Sequence, residues 1–158
     1  KTEVLSHTPP LSHLGPEPLQ KDFTFELFGN RLMRRPRSKI KPVLMDQTII
    51  AGIGNIYSDE ALWRAGINPE TKPYDISYSS LKKLYSAIQF VLKKGIRFGG
   101  DSTSDYRNID GRPGKFHLRH EAYQRTGEKC RKRRCGGILM RKMVAGRSSH
   151  FCSVHQKK

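Results

Sequence analysis

Four ligand-type side chains near the C-terminus constrain this chain more than any other feature: Cys130-x4-Cys135, then sixteen residues, then Cys152-x2-His155. Two close pairs separated by enough chain for two strands and a turn can close a tetrahedral metal site, and zinc is the ion that such soft and borderline donors favour. All three cysteines are used this way. With four protein ligands no position is left for a reacting water, so the expected zinc is structural rather than catalytic. Short β-prone stretches on either side of Gly146 fit a hairpin across the interval, with Arg147 just past its tip.

The charge balance points to the partner. Thirty Lys and Arg against fourteen Asp and Glu give a formal net charge of +16, a field that favours a polyanion through phosphate neutralisation and counterion release. Charge alone does not separate DNA from RNA. At 158 residues the chain holds one domain or two small ones. No apolar run is long enough for a membrane span, and the first nineteen residues lack the apolar core of a signal peptide, so an intracellular protein is expected, with no membrane partner.

Lys1 to Leu19 carries Pro9, Pro10, Pro16 and Pro18 without periodicity and is expected to be a linker. Asp22 is a candidate cap for a helix with apolar positions Phe25, Phe28, Leu32 and Met33, ending before Pro36. A second apolar segment runs from Lys39 to Ile50 and stops at Ala51-Gly52-Ile53-Gly54, after which Asn55 to Ala65 resumes a helical pattern. Ser77 or Ser80 opens the longest helix, whose stripe of Leu81, Leu84, Tyr85, Ile88, Val91, Leu92 and Ile96 is expected to face the core until Gly99-Gly100 ends it. Asp101 to His120 has no period and is expected to be a surface loop. The glycine turn before Asn55 brings backbone amides close to an anion at a helix start, and Arg37, Lys39 and Lys41 lie just upstream, so a phosphate-binding patch is expected there.

Several blocks together resemble the formamidopyrimidine-DNA glycosylase family, also called Fpg or MutM. They are Leu14-Gly15-Pro16-Glu17-Pro18-Leu19, Ile40-Lys41-Pro42 through Met45-Asp46-Gln47, Ala51 through Leu62 with Gly54-Asn55-Ile56-Tyr57-Ser58-Asp59-Glu60 at its centre, Gly99-Gly100 through Asp105-Tyr106, and Asp110 through Gly114 with Phe116. The resemblance implies a mainly α fold, a helix-two-turn-helix domain over 20–122 followed by a β-hairpin zinc finger over 123–158, with 1–19 as interdomain linker. It implies a base-excision repair glycosylase/AP lyase that removes oxidised purines from damaged double-stranded DNA and nicks the abasic site, acting as a monomer in the bacterial cytoplasm at the nucleoid.

By the same resemblance Asn55 contacts a phosphate beside the lesion, Arg37 and Lys41 are DNA-contacting cations, and Arg147 binds backbone phosphate and serves as acid in δ-elimination, while Gly54 is a DNA-binding candidate through the glycine turn. Cys130, Cys135, Cys152 and His155 fall on the zinc ligands, with two departures: the family usually has two residues inside the first pair and cysteine where His155 stands. About 101–118 resembles the loop that closes over the flipped base. The family's nucleophile is an N-terminal proline amine, whereas this chain opens Lys1-Thr2, so the 158 residues are expected to be inactive alone. The alternatives are a stand-alone DNA-binding module and an endonuclease VIII type enzyme acting on oxidised pyrimidines.

Overall fold

The computed structural model describes residues 13–101 and 114–158, which hold four helices and one hairpin: α1 (Phe25–Leu32), α2 (Ile40–Met45), α3 (Asn55–Ala65), α4 (Tyr78–Arg97), β1 (Leu139–Val144) and β2 (Arg147–Cys152). Short 3-10 turns lie at Pro73–Asp75 and Phe116–Arg119. Most of the expected linker and most of the loop at 101–118 fall outside the described residues. Among the described residues, no helix is long and apolar enough to cross a membrane.

Helix starts follow local hydrogen bonding, with one correction. Thr24, not Asp22, caps α1: its hydroxyl accepts from the Leu27 amide at 3.1 Å. Ser77 caps α4 in the same way, accepting from the Ser80 amide at 3.3 Å. The second apolar segment is helical only to Met45, because Asp46 turns the chain by accepting from both the amide and the hydroxyl of Thr48. Pro42 is tolerated in the first turn of α2, where its missing N–H would have no partner.

The main core is built from Phe28 and Leu32 of α1, Val43 and Leu44 of α2, Ala61 and Leu62 of α3, and Leu84, Ile88 and Val91 of α4. Ile96, expected in that stripe, is 70% exposed. Gly95 takes the inward position instead, and a Cβ there would lie 2.5 Å from the Tyr57 hydroxyl, so glycine is what lets α3 and α4 close together. Tyr57 in turn stacks on Phe116, which is itself buried.

The hairpin pairs Leu139 with Cys152 and Val144 with Arg147 in antiparallel register. Its two-residue turn, Ala145 and Gly146, has φ of +48° and +76°, the doubly positive geometry that matches the natural twist of a hairpin. Strand β2 lies against α3. Beneath the hairpin is a second, small cluster of Trp63, Ala122, Cys130, Leu139 and Cys152.

Candidate metal centre and nucleic-acid interface

The four expected ligands converge. One donor atom from each of Cys130, Cys135, Cys152 and His155 lies within 4.8 Å of every other, a set that can hold one metal ion. Cys135 Sγ lies 3.6 Å from Cys152 Sγ, and His155 Nδ1 lies 3.4 Å from Cys130 Sγ. The four-residue interval closes as a tight knuckle: the Cys135 amide donates to the Lys132 carbonyl, and Arg134 adopts a left-handed φ of +60°. Gly137 passes so close that a Cβ would meet Cys152 Sγ at 2.4 Å.

The surrounding groups orient the ligands. His155 Nε2 sits 3.0 Å from the Trp63 carbonyl. That oxygen can only accept, so Nε2 carries the proton and the Nδ1 lone pair faces the sulfurs. Trp63 also donates its indole N–H to Cys130 Sγ at 3.3 Å. Burial lowers the His155 pKa and so favours the neutral imidazole that a metal needs. Burial raises the Cys130 thiol, while at Cys152 the same burial is outweighed by the His155 and Val154 amides, which lower it. Trp63 reads in the sequence as one more apolar position of α3, and nothing there marks it as a partner of the ligands.

The start of α3 has the features of an anion site. Gly54 occupies the N-cap in extended geometry with no side-chain cap, and no acid stands in the first turn. The turn is braced by Gln47, which accepts from the Gly52 amide at 2.8 Å and donates to the Ile53 carbonyl at 2.9 Å. Gly52 has φ of +82°. Asn55 Oδ1 is buried and lacks a hydrogen-bond partner among the described residues. A buried polar atom of that kind calls for a partner supplied from outside.

Arg147 is exposed at the hairpin tip and Arg37 is exposed beyond α1. Lys39 is engaged by Glu70 at 2.7 Å. Lys41 corrects the sequence reading. It is fully buried, donating to Asp59 Oδ1 at 2.6 Å and to the Ser148 carbonyl at 2.6 Å, and has no surface with which to meet a phosphate. Burial lowers its pKa against the Asp59 charge, which raises it.

Asp59 gathers the hairpin around that pair. Its Oδ1 accepts from the Ser149 hydroxyl at 3.0 Å, and its Oδ2 accepts from the His150 amide at 2.8 Å. Asn55 lies one helical turn before Asp59, and Arg147 lies one residue before Ser148, so both leave from the same hub. Glu60 makes a second link, its Oε1 accepting from the Ala122 and Tyr123 amides at 2.9 Å each. Burial raises the Glu60 pKa more than these amides lower it. Asp59 and Glu60, adjacent acids on a helix, resemble a solvated face in sequence; what they do depends on chain some sixty to ninety residues away.

Fold and site thus define a class: a helical unit built on a glycine turn and joined to a β-hairpin with a Cys3His cluster at its base. The profile of the formamidopyrimidine-DNA glycosylase H2TH domain matches residues 14–107. Formamidopyrimidine-DNA glycosylases of Prochlorococcus marinus strain MIT 9301 and Heliobacterium modesticaldum are 46% and 44% identical over 93% and 98% of the chain. The chain belongs to the formamidopyrimidine-DNA glycosylase family. It spans about half of those relatives, 49% and 55% of their lengths. Among solved structures, the Lactococcus lactis Fpg complex with abasic-site DNA is 43% identical with a TM-score of 0.82, over 92% of this chain and 52% of that one. The MutM protein of Thermus thermophilus is 41% identical with a TM-score of 0.85, over 94% and 55%.

Proposed function

We propose that this chain is the DNA-gripping part of a bifunctional DNA glycosylase/AP lyase that removes oxidised purines, including 8-oxoguanine and formamidopyrimidines, and nicks the abasic site. One observation carries the reading: the uncapped start of α3 at Gly54-Asn55 and the tip arginine Arg147 are anchored to the same buried hub, Lys41 and Asp59. Two phosphate-binding elements held rigidly together can grip one duplex backbone. The Lactococcus lactis relatives solved with abasic-site DNA and with Fapy-dG DNA support a damaged-duplex partner.

Arg37, Gly54, Asn55 and Arg147 are the proposed DNA contacts, with Lys41 acting indirectly by holding the hairpin. Arg147 is also the proposed acid for δ-elimination. The segment at 101–118 is proposed to close over the extruded base, and its two ends are drawn together by a buried Asp101–His120 pair. The family's Schiff-base nucleophile is an N-terminal proline amine, and Pro9 and Pro10 are internal with their nitrogens in peptide bonds. The nucleophile is therefore proposed to come from outside these 158 residues. We divide the chain into a linker at 1–19, the helical unit at 20–122 and the finger at 123–158. The working state is proposed to be a monomer in the bacterial cytoplasm.

Zinc is the proposed ion. Zinc–sulfur and zinc–nitrogen bonds of about 2.3 and 2.1 Å imply tetrahedral edges of roughly 3.5–3.8 Å. The 3.4 and 3.6 Å separations between these donor atoms lie within about 0.2 Å of such edges. With four protein ligands, zinc would contribute cross-linking of the finger and no open coordination position.

Fluorescence anisotropy with an abasic-analogue duplex tests the reading. Affinity should fall steeply with salt, and Arg147→Ala should reduce the slope of log K against log salt by about 1. An affinity unchanged between low and physiological salt would overturn it.

A further inference from the structure

At the far end of α3 from Asn55 the surface carries a groove of about 760 Å³. Arg64 stands nine residues beyond Asn55, roughly 14 Å along the helix at 1.5 Å per residue. The cations of the groove are Arg64, Lys82, Lys83, Arg131, Lys132 and Arg133, and among the described residues no acid lines it. They arrive from the end of α3, the first half of α4 and the Cys130–Cys135 knuckle, so folding concentrates positive charge here that no single segment holds. A second groove of about 490 Å³ shares Phe90 and Arg131 with the first and adds four more cations, Lys94 and Arg119 among them, together with one acid, Glu121, which lies 4.0 Å from Arg131.

Lys132 is partly committed, donating to the Arg64 carbonyl at 2.9 Å. Lys82, Lys83 and Arg133 enter no ion pair among the described residues. Apolar side chains stand exposed between the cations: Phe90, on the ridge between the grooves, is 44% exposed, and Leu118 in the second groove is 66% exposed. A phosphate backbone would use the cations and leave these groups in water. Base stacking needs open aromatic faces, and they are scarce here. Trp63 is buried, and the Arg64 guanidinium lies 3.5 Å from the Phe90 ring centroid.

We propose that these joined grooves dock an acidic peptide segment of a partner protein. Its carboxylates meet Lys82, Lys83 and Arg133, and a large apolar side chain seats against Phe90 and Leu118. Carboxylates match the cations in charge, and the apolar contact supplies what a bare polyanion lacks. The site lies apart from Asn55 and Arg147, so a partner held here leaves the proposed DNA contacts free.

The test is anisotropy at physiological salt, using this chain and a dye-labelled Asp- and Glu-rich peptide carrying one Phe. Lys82→Glu combined with Lys83→Glu should weaken peptide binding about tenfold or more through like-charge repulsion. The same net charge change at Lys21 and Lys72, outside the grooves, should cost less than about threefold. Replacing the peptide Phe with Ser should cost about fivefold or more. All these positions are exposed lysines, and unchanged far-UV circular dichroism confirms folding. Equal losses from both double variants, or indifference to the Phe, would overturn the proposal as generic charge attraction. Displacement of the peptide by a single-stranded oligonucleotide whose own binding needs Lys82 and Lys83 would overturn it in favour of a nucleic-acid groove.

Discussion

The Lys41 ammonium lies 2.6 Å from the Asp59 carboxylate, and neither side chain has any exposed surface. The pair ties α2 to α3 and, through the Ser148 carbonyl and the Ser149 and His150 groups, ties both to β2. Removing one partner strands a buried charge. Lys41→Met should therefore destabilise the protein by about 3–5 kcal/mol, with much of the loss recovered when Asp59→Asn is added. Thermal unfolding followed by circular dichroism reads both effects. A loss below about 1 kcal/mol for Lys41→Met would mean that the pair does not hold the hairpin.

Freshly purified protein should contain one equivalent of zinc by elemental analysis, and less than about a tenth of an equivalent would refute the site. Cys152→Ser should loosen the hairpin while the helical unit stays folded, because the main core does not include the finger cluster. Loss of hairpin amide protection with retained helical circular dichroism is the expected pattern. His155→Cys should keep metal binding, since a thiolate can replace the imidazole, but would lose the hydrogen bond to the Trp63 carbonyl.

Glu70 binds Lys39, Lys142 and Lys158, and its side-chain hydrogen bonds, to Lys142 first and Lys39 next, hold its pKa down to about 2 from 4.5. A carboxyl depressed in the folded state stabilises the fold above its unfolded value, and that stabilisation is lost as pH falls toward the folded one. Glu70→Gln should therefore lower the melting temperature by a constant amount above about pH 5.5, and the difference should shrink between 4.5 and about 2. The lysines are largely exposed, so the full effect should be about 1 kcal/mol or less. A melting difference that grows on acidification would contradict the assignment.

The chain starting at Lys1 should not be trapped on abasic DNA by borohydride, because trapping needs a positioned amine. Of the two upstream lysines in the expected phosphate patch, Lys41 is buried against Asp59 and cannot serve, and Lys39 is paired with Glu70. In a longer protein that supplies the amine, Arg147→Ala should weaken DNA binding and impair δ-elimination while sparing part of the β-elimination. Robust trapping by the 158-residue chain would overturn this division of labour.

Local chemistry made much of the molecule legible in the sequence alone. The glycine turn and apolar period set α3 at Asn55–Ala65, Ser77 was one of two candidate caps for α4, and the Gly146 turn placed the hairpin and its tip arginine. The convergence of Cys130, Cys135, Cys152 and His155 was readable because paired spacing is itself the chemical constraint. Small errors came from rival local hydrogen bonds: Thr24 outcompetes Asp22 as a cap, and Asp46 ends α2 five residues before Ile50.

Only tertiary structure decided which charges serve the interior. Lys41 sits in a basic stretch where a phosphate contact and a buried clamp look alike, and it is the arrival of Ser148, 107 residues later, that takes it out of solvent. Asp59, Glu60 and Trp63 fall within one helical run, yet each acts on distant chain: the hairpin backbone, the amides at 121–123, and the metal ligands. The cationic grooves exist because α3, α4 and the knuckle meet. Periodicity and propensity are properties of neighbours in sequence, whereas desolvation of a charge depends on what packs over it, and that is settled only when the chain has folded.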